Sequence, residues 1–322
     1  MKPFNAEKTI YSRFKLFFIL LCITLAVFLI FKSSKSSIFS LNTLLGGIIK
    51  INISLPFSVI AISRLVLIII SSFIAKSIAV KIFKFPSKDY FVFVLISLSH
   101  FFIKDWNVGL TVAIYWTYFV IMVHNLFLEE SLLPSYRKTL NTALLGGILL
   151  LNGPFVLLFF IAGIVIMISY QYFSCRRLII WLIGYIFPLF LVFFWCFLQD
   201  KTNIIFENFK TIFVKKEYFQ FAFEKIYFLH IISLIILIGI VLIKLKNSKI
   251  SERKAFLTLI ITSIVLLLGI FTSTFNCLLL LHIYSLLLAF FWARALHKSQ
   301  TRVTFIIILI IPFIFPILSF FF

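Results

Sequence analysis

The sequence predicts an all-α fold, a polytopic bundle of transmembrane helices, and three observations predict it. Of the 322 residues, 63% are hydrophobic and only 12% are charged, whereas soluble domains carry about 25% charged residues. The apolar residues occur in runs of about 18 to 21 residues, the length of a helix that crosses a bilayer. These runs lack the period-two alternation of transmembrane β-strands.

Ten long apolar runs and one shorter run make eleven predicted membrane segments. The shorter run, 139–151, precedes Asn152-Gly153-Pro154, a turn signal that interrupts any continuous helix. At about 1.5 Å per residue, it either makes a short span or enters and leaves the membrane on one side. The long runs are 14–31, 56–75, 88–103, 106–128, 154–173, 178–198, 226–243, 255–272, 276–293 and 303–322.

The basic residues predict the orientation of these segments. With the amino terminus inside and 139–151 counted as a short span, 20 of the 30 Lys and Arg residues lie on the inner side. Cytoplasmic loops carry such an excess of Lys and Arg. The net charge of +20 does not indicate a nucleic-acid partner, because the basic residues cluster at the ends of apolar runs and not in a stripe with aromatic residues between them. The carboxyl terminus is then predicted outside.

The whole chain, 1–322, is predicted to be a single membrane domain, with one sizeable outer loop at 199–225. Within this loop Ile205, Phe209 and Ile212 share a helical face, a spacing that fits a helix lying on the membrane surface. A loop packed against the bundle by its aromatic residues is the alternative.

Arg64 is the clearest polar residue within a predicted span. It lies eight residues after Pro56, about 12 Å deep by helical rise, and the one acidic residue of the predicted spans, Asp89, lies at the end of 88–103. A forked, permanently charged donor suits a lipid phosphate or pyrophosphate. An Arg that bonds to backbone carbonyls or extends outward to water is the alternative.

Further polar residues are predicted near the outer level of the membrane. Together with Arg64 they would line one outward-facing polar cavity, in which the histidines and the aspartate are the candidate catalytic residues and Asn152 is a candidate for lipid-phosphate binding. Each histidine alone also fits a hydrogen bond between helices. The Cys and His residues lack metal-ligand spacing, so neither a metal nor a cofactor is predicted. The candidates are His100, Asp105, Asn152, His230 and His282.

The stretch 141–198 resembles the central region of an uncharacterised family of polytopic inner-membrane proteins from Bacteroidota. The similar features are a Gly-rich short helix, a turn before Pro154, a long apolar span and the pair Arg176-Arg177, followed by Trp181, Gly184 and Pro188. The resemblance implies a bacterial inner membrane, so that the amino terminus would be cytoplasmic and the carboxyl terminus periplasmic. It implies no activity.

Three functions are compatible with the sequence. The first is a non-catalytic membrane subunit or assembly factor of the cell envelope, with its polar residues satisfied inside the bundle and an envelope protein complex as its partner. The second is an enzyme that acts on a lipid-linked, polyprenyl-phosphate glycan at the periplasmic face. The third is a transporter or flippase, supported by a weak internal repeat between 41–47 and 140–147. Membrane lipids are partners in each case.

Overall fold

The computed structural model describes six helices and one pair of short strands. Its described residues are 39–40, 52–53, 57–83, 85, 92–93, 96, 106–127, 136–151, 156–170, 173–200, 202–203, 239, 249–272 and 290–291. The helices are α1 (Phe57–Lys81), α2 (Trp106–Phe127), α3 (Tyr136–Leu150), α4 (Val156–Ser169), α5 (Cys175–Leu198) and α6 (Ile250–Thr272). The strands β1 (Phe39–Ser40) and β2 (Asn52–Ile53) pair antiparallel, with Phe39 opposite Ile53.

The helical part of the prediction is confirmed where the structure describes the chain. Three helical stretches are long and apolar enough to cross a membrane: Val59–Lys81, Gly109–Phe127 and Cys175–Leu198. Val156–Ser169 is a shorter apolar helix. Most or all of each of the predicted spans 14–31, 88–103, 226–243, 276–293 and 303–322 lies outside the described residues, as does nearly all of the loop 199–225, and these stay predictions.

Capping explains why α5 is longer than the apolar run that predicts it. The helix begins at Cys175, because the Ser174 hydroxyl accepts a hydrogen bond of 3.2 Å from the Arg177 amide, as an N-cap serine does. At the other end, the amides of Gln199 and Asp200 donate to the Cys196 and Phe197 carbonyls. Asp200 has a φ of 53°, a left-handed conformation that Asp tolerates better than most residues.

Helices α3 and α5 run parallel and pack at close range. Tyr136 at the start of α3 lies beside Arg176 at the start of α5. Further along, Gly184 lies against Ala143, and Gly147 lies against the backbone of α5. Small residues allow two helix backbones to approach closely, and here they bring the backbones of α3 and α5 into contact.

The remaining contacts connect neighbouring helices into one core. The Asn125 amide of α2 donates to the Thr142 hydroxyl of α3 at 2.9 Å. From α5, the Trp181 indole donates to the Phe160 carbonyl of α4 at 3.3 Å, and its ring lies against Gly163. Trp116, Phe119, Phe159, Trp181 and Phe256 are among the largest fully buried side chains.

Basic residues gather at one end of this bundle, where α1, α2 and α4 end and α3, α5 and α6 begin. The ring of Phe83, just after α1, lies 4.5 Å from that of Phe256 in α6, and Lys254 lies 5.2 Å from the ring of Tyr170, just after α4. We call this region the basic end. Its exposed cations are Lys81, Arg137, Lys138, Arg176, Lys249 and Arg253.

The outward faces of α1 and α5 are apolar. On α5, large side chains such as Ile183, Phe190 and Trp195 are 52%, 57% and 59% exposed. A soluble protein rarely exposes apolar side chains in such a continuous surface. These faces are therefore suited to lipid.

Candidate functional site

Arg64 is buried between helices α1 and α2. Its side chain is 2% exposed, in a described core that is otherwise mostly aliphatic and aromatic. Helix α1 carries it as its eighth residue, and the guanidinium lies directly against Gly109, near the start of α2. The structure therefore places the guanidinium at a helix-helix contact.

Gly109 provides the space that the Arg64 guanidinium occupies. A Cβ atom at this position would overlap the Arg64 Cζ, Nη1 and Nε atoms. Glycine at 109 thus fits the arginine as a complementary pair, and the two residues specify how α1 and α2 pack. Sequence reasoning singled out Arg64 but missed Gly109, because the two residues are far apart in the chain and Gly109 is unremarkable in an apolar run.

The other predicted site residues cannot be compared with Arg64, because all five lie in parts of the chain that the structure leaves undescribed. The predicted outward-facing cavity therefore stays a prediction. The residues are His100, Asp105, Asn152, His230 and His282.

Two tyrosine hydroxyls meet where α2, α3 and α5 converge. Tyr118 of α2 and Tyr185 of α5 are hydrogen-bonded to each other and are 4% and 3% exposed. Both hydroxyls lie against Gly146 of α3, where a side chain would overlap them. Buried tyrosines usually find such a partner. The sequence carries no signal for this pair, because nothing in it shows that these two helices are neighbours.

Arg176 and Arg177 surround the ring of Tyr136 at the basic end. The Cζ atom of Arg176 lies 4.7 Å from the ring centroid and that of Arg177 lies 5.9 Å from it. Both distances are within the range of a cation–π interaction. Arg176 is exposed, whereas Arg177 is 1% exposed. Sequence reasoning took this pair as an orientation signal and missed the burial of Arg177.

Most buried hydroxyl groups in the described helices bond to the backbone of their own helix. Thr117 donates to the Ala113 carbonyl at 2.6 Å, Thr262 to the Thr258 carbonyl at 2.8 Å and Ser263 to the Leu259 carbonyl at 2.8 Å. This use of Ser and Thr satisfies a hydroxyl in an apolar surrounding without a partner helix.

The fold and these contacts define the class of the protein: it is a membrane protein built from apolar helices. Among the described residues, no three His, Cys, Asp or Glu side chains gather in a way that could hold a metal ion. The chain matches no protein-family model, no curated protein and no solved structure.

Proposed function

We propose that the chain is a non-catalytic membrane subunit or assembly factor of the bacterial cell envelope. The observation that carries this proposal is the use of polar side chains as connections between helices. Asn125 bonds to Thr142, which joins the successive helices α2 and α3, and Tyr118 bonds to Tyr185, which joins α2 to α5. Polar side chains engaged in this way stabilise one arrangement of the bundle.

The packing of Arg64 supports the same proposal. A guanidinium that is 2% exposed and lies against Gly109 contributes to the fit of α1 on α2. A catalytic or phosphate-binding arginine has to reach its ligand, and in this arrangement α1 and α2 would first have to separate. A packing role for Arg64 is therefore a simpler interpretation than a catalytic or phosphate-binding role.

A partner protein would meet the outward face of α5, and photo-cross-linking tests this. A photoreactive amino acid replaces Phe190, which is 57% exposed, in the full chain in native membranes. We expect a discrete adduct with one other membrane protein. The matched control places the same amino acid at Trp181, which is 0% exposed, and should give adducts within the chain only.

Deletion of the chain gives the second test of this proposal. If it is an assembly factor or subunit, the cross-linked partner should decrease in the membrane when the chain is removed. The proposal is contradicted if the chain gives only lipid adducts at position 190 and if its deletion leaves the amounts of other membrane proteins unchanged.

The chemistry of the Arg64 side chain, unlike its packing, favours a second candidate function, an enzyme that acts on a polyprenyl-phosphate glycan. Its forked guanidinium would hold the phosphate, and Lys, a point charge, cannot reproduce bidentate binding. Native mass spectrometry of gently extracted protein would then show a retained polyprenyl-phosphate, lost in both Arg64→Leu and Arg64→Lys. Retention of that lipid by Arg64→Leu would exclude this role for Arg64.

The inner-membrane location and the orientation are part of the proposal. The basic end supports a cytoplasmic position for the connections beside Lys81, Arg137 and Arg176, because cytoplasmic loops are rich in Lys and Arg. The amino terminus is then cytoplasmic and the carboxyl terminus periplasmic. Membership of the uncharacterised Bacteroidota family stays a prediction from the residues between 141 and 198. A transporter stays the third alternative, since 41–47 lies outside the described residues.

A further inference from the structure

We propose that the first turns of α3 and α5 form a binding site for an anionic phospholipid. The two helices are parallel and in close contact, so their first turns lie side by side at the basic end. Tyr136 of α3 and Arg176 of α5 mark this junction, with the Arg176 Cζ atom 4.7 Å from the Tyr136 ring centroid.

The first turns of both helices carry exposed cations. Arg137 and Lys138 follow Tyr136 directly in α3, and Arg176 comes from α5; all three are exposed. Arginine binds phosphate oxygens through two parallel N–H···O bonds, and lysine binds them as a point charge. A phosphodiester headgroup at the junction would meet both kinds of donor.

The ring of Tyr136 holds Arg176 in place. A guanidinium over an aromatic face keeps its N–H donors free at the edge of the plane. Because the side chain is already ordered by the ring, less conformational entropy is lost when a phosphate binds. Arg177, which is 1% exposed and 5.9 Å from the same ring, backs the ring from inside the bundle.

Among the described residues, acidic side chains do not balance the positive charge of the basic end. Glu252, at the start of α6, is 7% exposed and so faces the interior. Glu129 and Glu130 precede α3 in a segment whose structure is not described. The described part of the basic end keeps an excess of positive charge, which complements an anionic headgroup.

An apolar surface continues from Arg176 along α5. Exposed residues follow at helical spacing: Ile179 is 56% exposed and Ile183 is 52% exposed. From Arg176 to Ile183 the helix rises about 10 Å, enough to accompany the first part of an acyl chain, and Phe190, about 21 Å from Arg176, lies beyond this part of the helix. A cationic turn above a long apolar face matches a phospholipid, whereas a free phosphate would use the cations alone.

Lipid retention by the full-length protein tests the site. The protein is purified in mild detergent, phosphatidylglycerol is added, and bound lipid is counted by native mass spectrometry. The site variant carries Arg137→Gln, Lys138→Gln and Arg176→Gln. We expect its affinity to fall about fivefold for each charge removed, on the order of a hundredfold in total, the effect expected of basic residues at an anionic membrane surface.

A charge-matched control variant distinguishes lipid binding at the α3–α5 junction from a general attraction of the lipid to positive charge. The control variant carries Lys81→Gln, Lys249→Gln and Arg253→Gln, three exposed cations of the basic end that belong neither to α3 nor to α5. It loses the same net charge and should retain phosphatidylglycerol. Equal losses in the two triple variants would overturn the proposal, because the lipid would then respond to total charge.

Two further comparisons test the geometry and the ligand. Tyr136→Phe keeps the ring and should retain the lipid, whereas Tyr136→Leu removes it and should weaken retention with the charge unchanged. Phosphatidylcholine should bind weakly, and free glycerol phosphate should not displace phosphatidylglycerol. Displacement by glycerol phosphate at the affinity of the lipid would mean a soluble-anion site and would overturn the proposal.

Discussion

Tyr118 and Tyr185 show at the residue scale how a polar group is accommodated in an apolar bundle. Each hydroxyl has the other as its partner, and Gly146 leaves the room that both rings need. A buried hydroxyl that loses its partner carries an uncompensated desolvation cost. The pair should therefore behave as a unit and not as two independent residues.

We expect non-additive effects from replacing these tyrosines with phenylalanine. Tyr118→Phe and Tyr185→Phe should each lower the free energy of unfolding by about 1 kcal/mol, because each leaves one buried hydroxyl unpaired. The double variant should lose less than the sum, with a coupling energy of about 0.5 to 1 kcal/mol. Unfolding in mixed detergent measures the stability of the wild type, the two single variants and the double variant. Strictly additive losses would contradict the coupling of the two tyrosines.

The arginines show what sequence reasoning captures at this scale and what it misses. Arg64 could be recognised because a charge inside an apolar run is costly and conspicuous. Its partner Gly109 could not, since the space between two helices depends on how they dock. Arg177 lies at the end of an apolar run, where basic residues are expected, so no sequence feature distinguishes it from its exposed neighbour Arg176.

At the scale of elements, the contact between α3 and α5 depends on small residues. A Cβ atom on Gly147 would lie 2.6 Å from the Tyr185 carbonyl oxygen and 2.9 Å from that of Gly184. Both atoms belong to backbone, which cannot turn aside as a side chain can. The two helices can therefore lie this close together only because Gly147 has a hydrogen atom in place of a side chain.

Gly147→Ala should destabilise the protein by about 1 to 3 kcal/mol, the usual cost of overpacking a close contact. The loss occurs although Ala is the better helix former. Gly239 provides the matched control, because a Cβ atom there would meet nothing within 4 Å, and Gly239→Ala should be neutral or slightly stabilising. Thermal unfolding in detergent compares the two, and equal stabilities would show that α3 and α5 can move apart at no cost.

Helix existence was predictable from hydrophobicity, but helix ends and partners were not. The run 178–198 predicts α5, yet the helix begins at Cys175 because the Ser174 hydroxyl caps it. Helix α3 is Tyr136–Leu150, so it begins before the predicted 139, since polar residues can occupy a first turn that reaches out of the apolar region. The pairing of α3 with α5 depends on close contacts made by the glycines of the two helices. The pattern of apolar residues along the sequence does not show these contacts.

At the scale of the whole molecule, the basic end and the opposite end of α5 differ in character. Arg176, at the start of α5, is next to a cluster of exposed cations, whereas the helix ends among Phe197, Leu198 and Asp200. The positive-inside rule predicts that the start of α5 is cytoplasmic and that its end is periplasmic. The natural cysteines allow a direct measurement of this orientation.

We expect Cys175 to react only from the cytoplasmic side. It is exposed at the start of α5, whereas Cys196 is buried and should stay unlabelled. With Cys22 and Cys277 replaced by Ala, a membrane-impermeant maleimide should leave Cys175 unmodified in spheroplasts and label most of it in inverted vesicles. Gln199→Cys, at the other end of the helix, should give the reverse pattern. Labelling of Cys175 in intact spheroplasts would place the basic end outside.

The parallel course of α3 and α5 has a consequence for biosynthesis. Two neighbouring helices can point the same way only if the chain between them travels back, and α4 makes that return. While the ribosome is still synthesising α4, the surface formed by Ala143 and Gly147 cannot pack against α5, because α5 has not yet been made. Helix α3 can therefore settle into its final place only after residues 184 to 188 have emerged, so that the order of synthesis and the order of assembly differ for this helix.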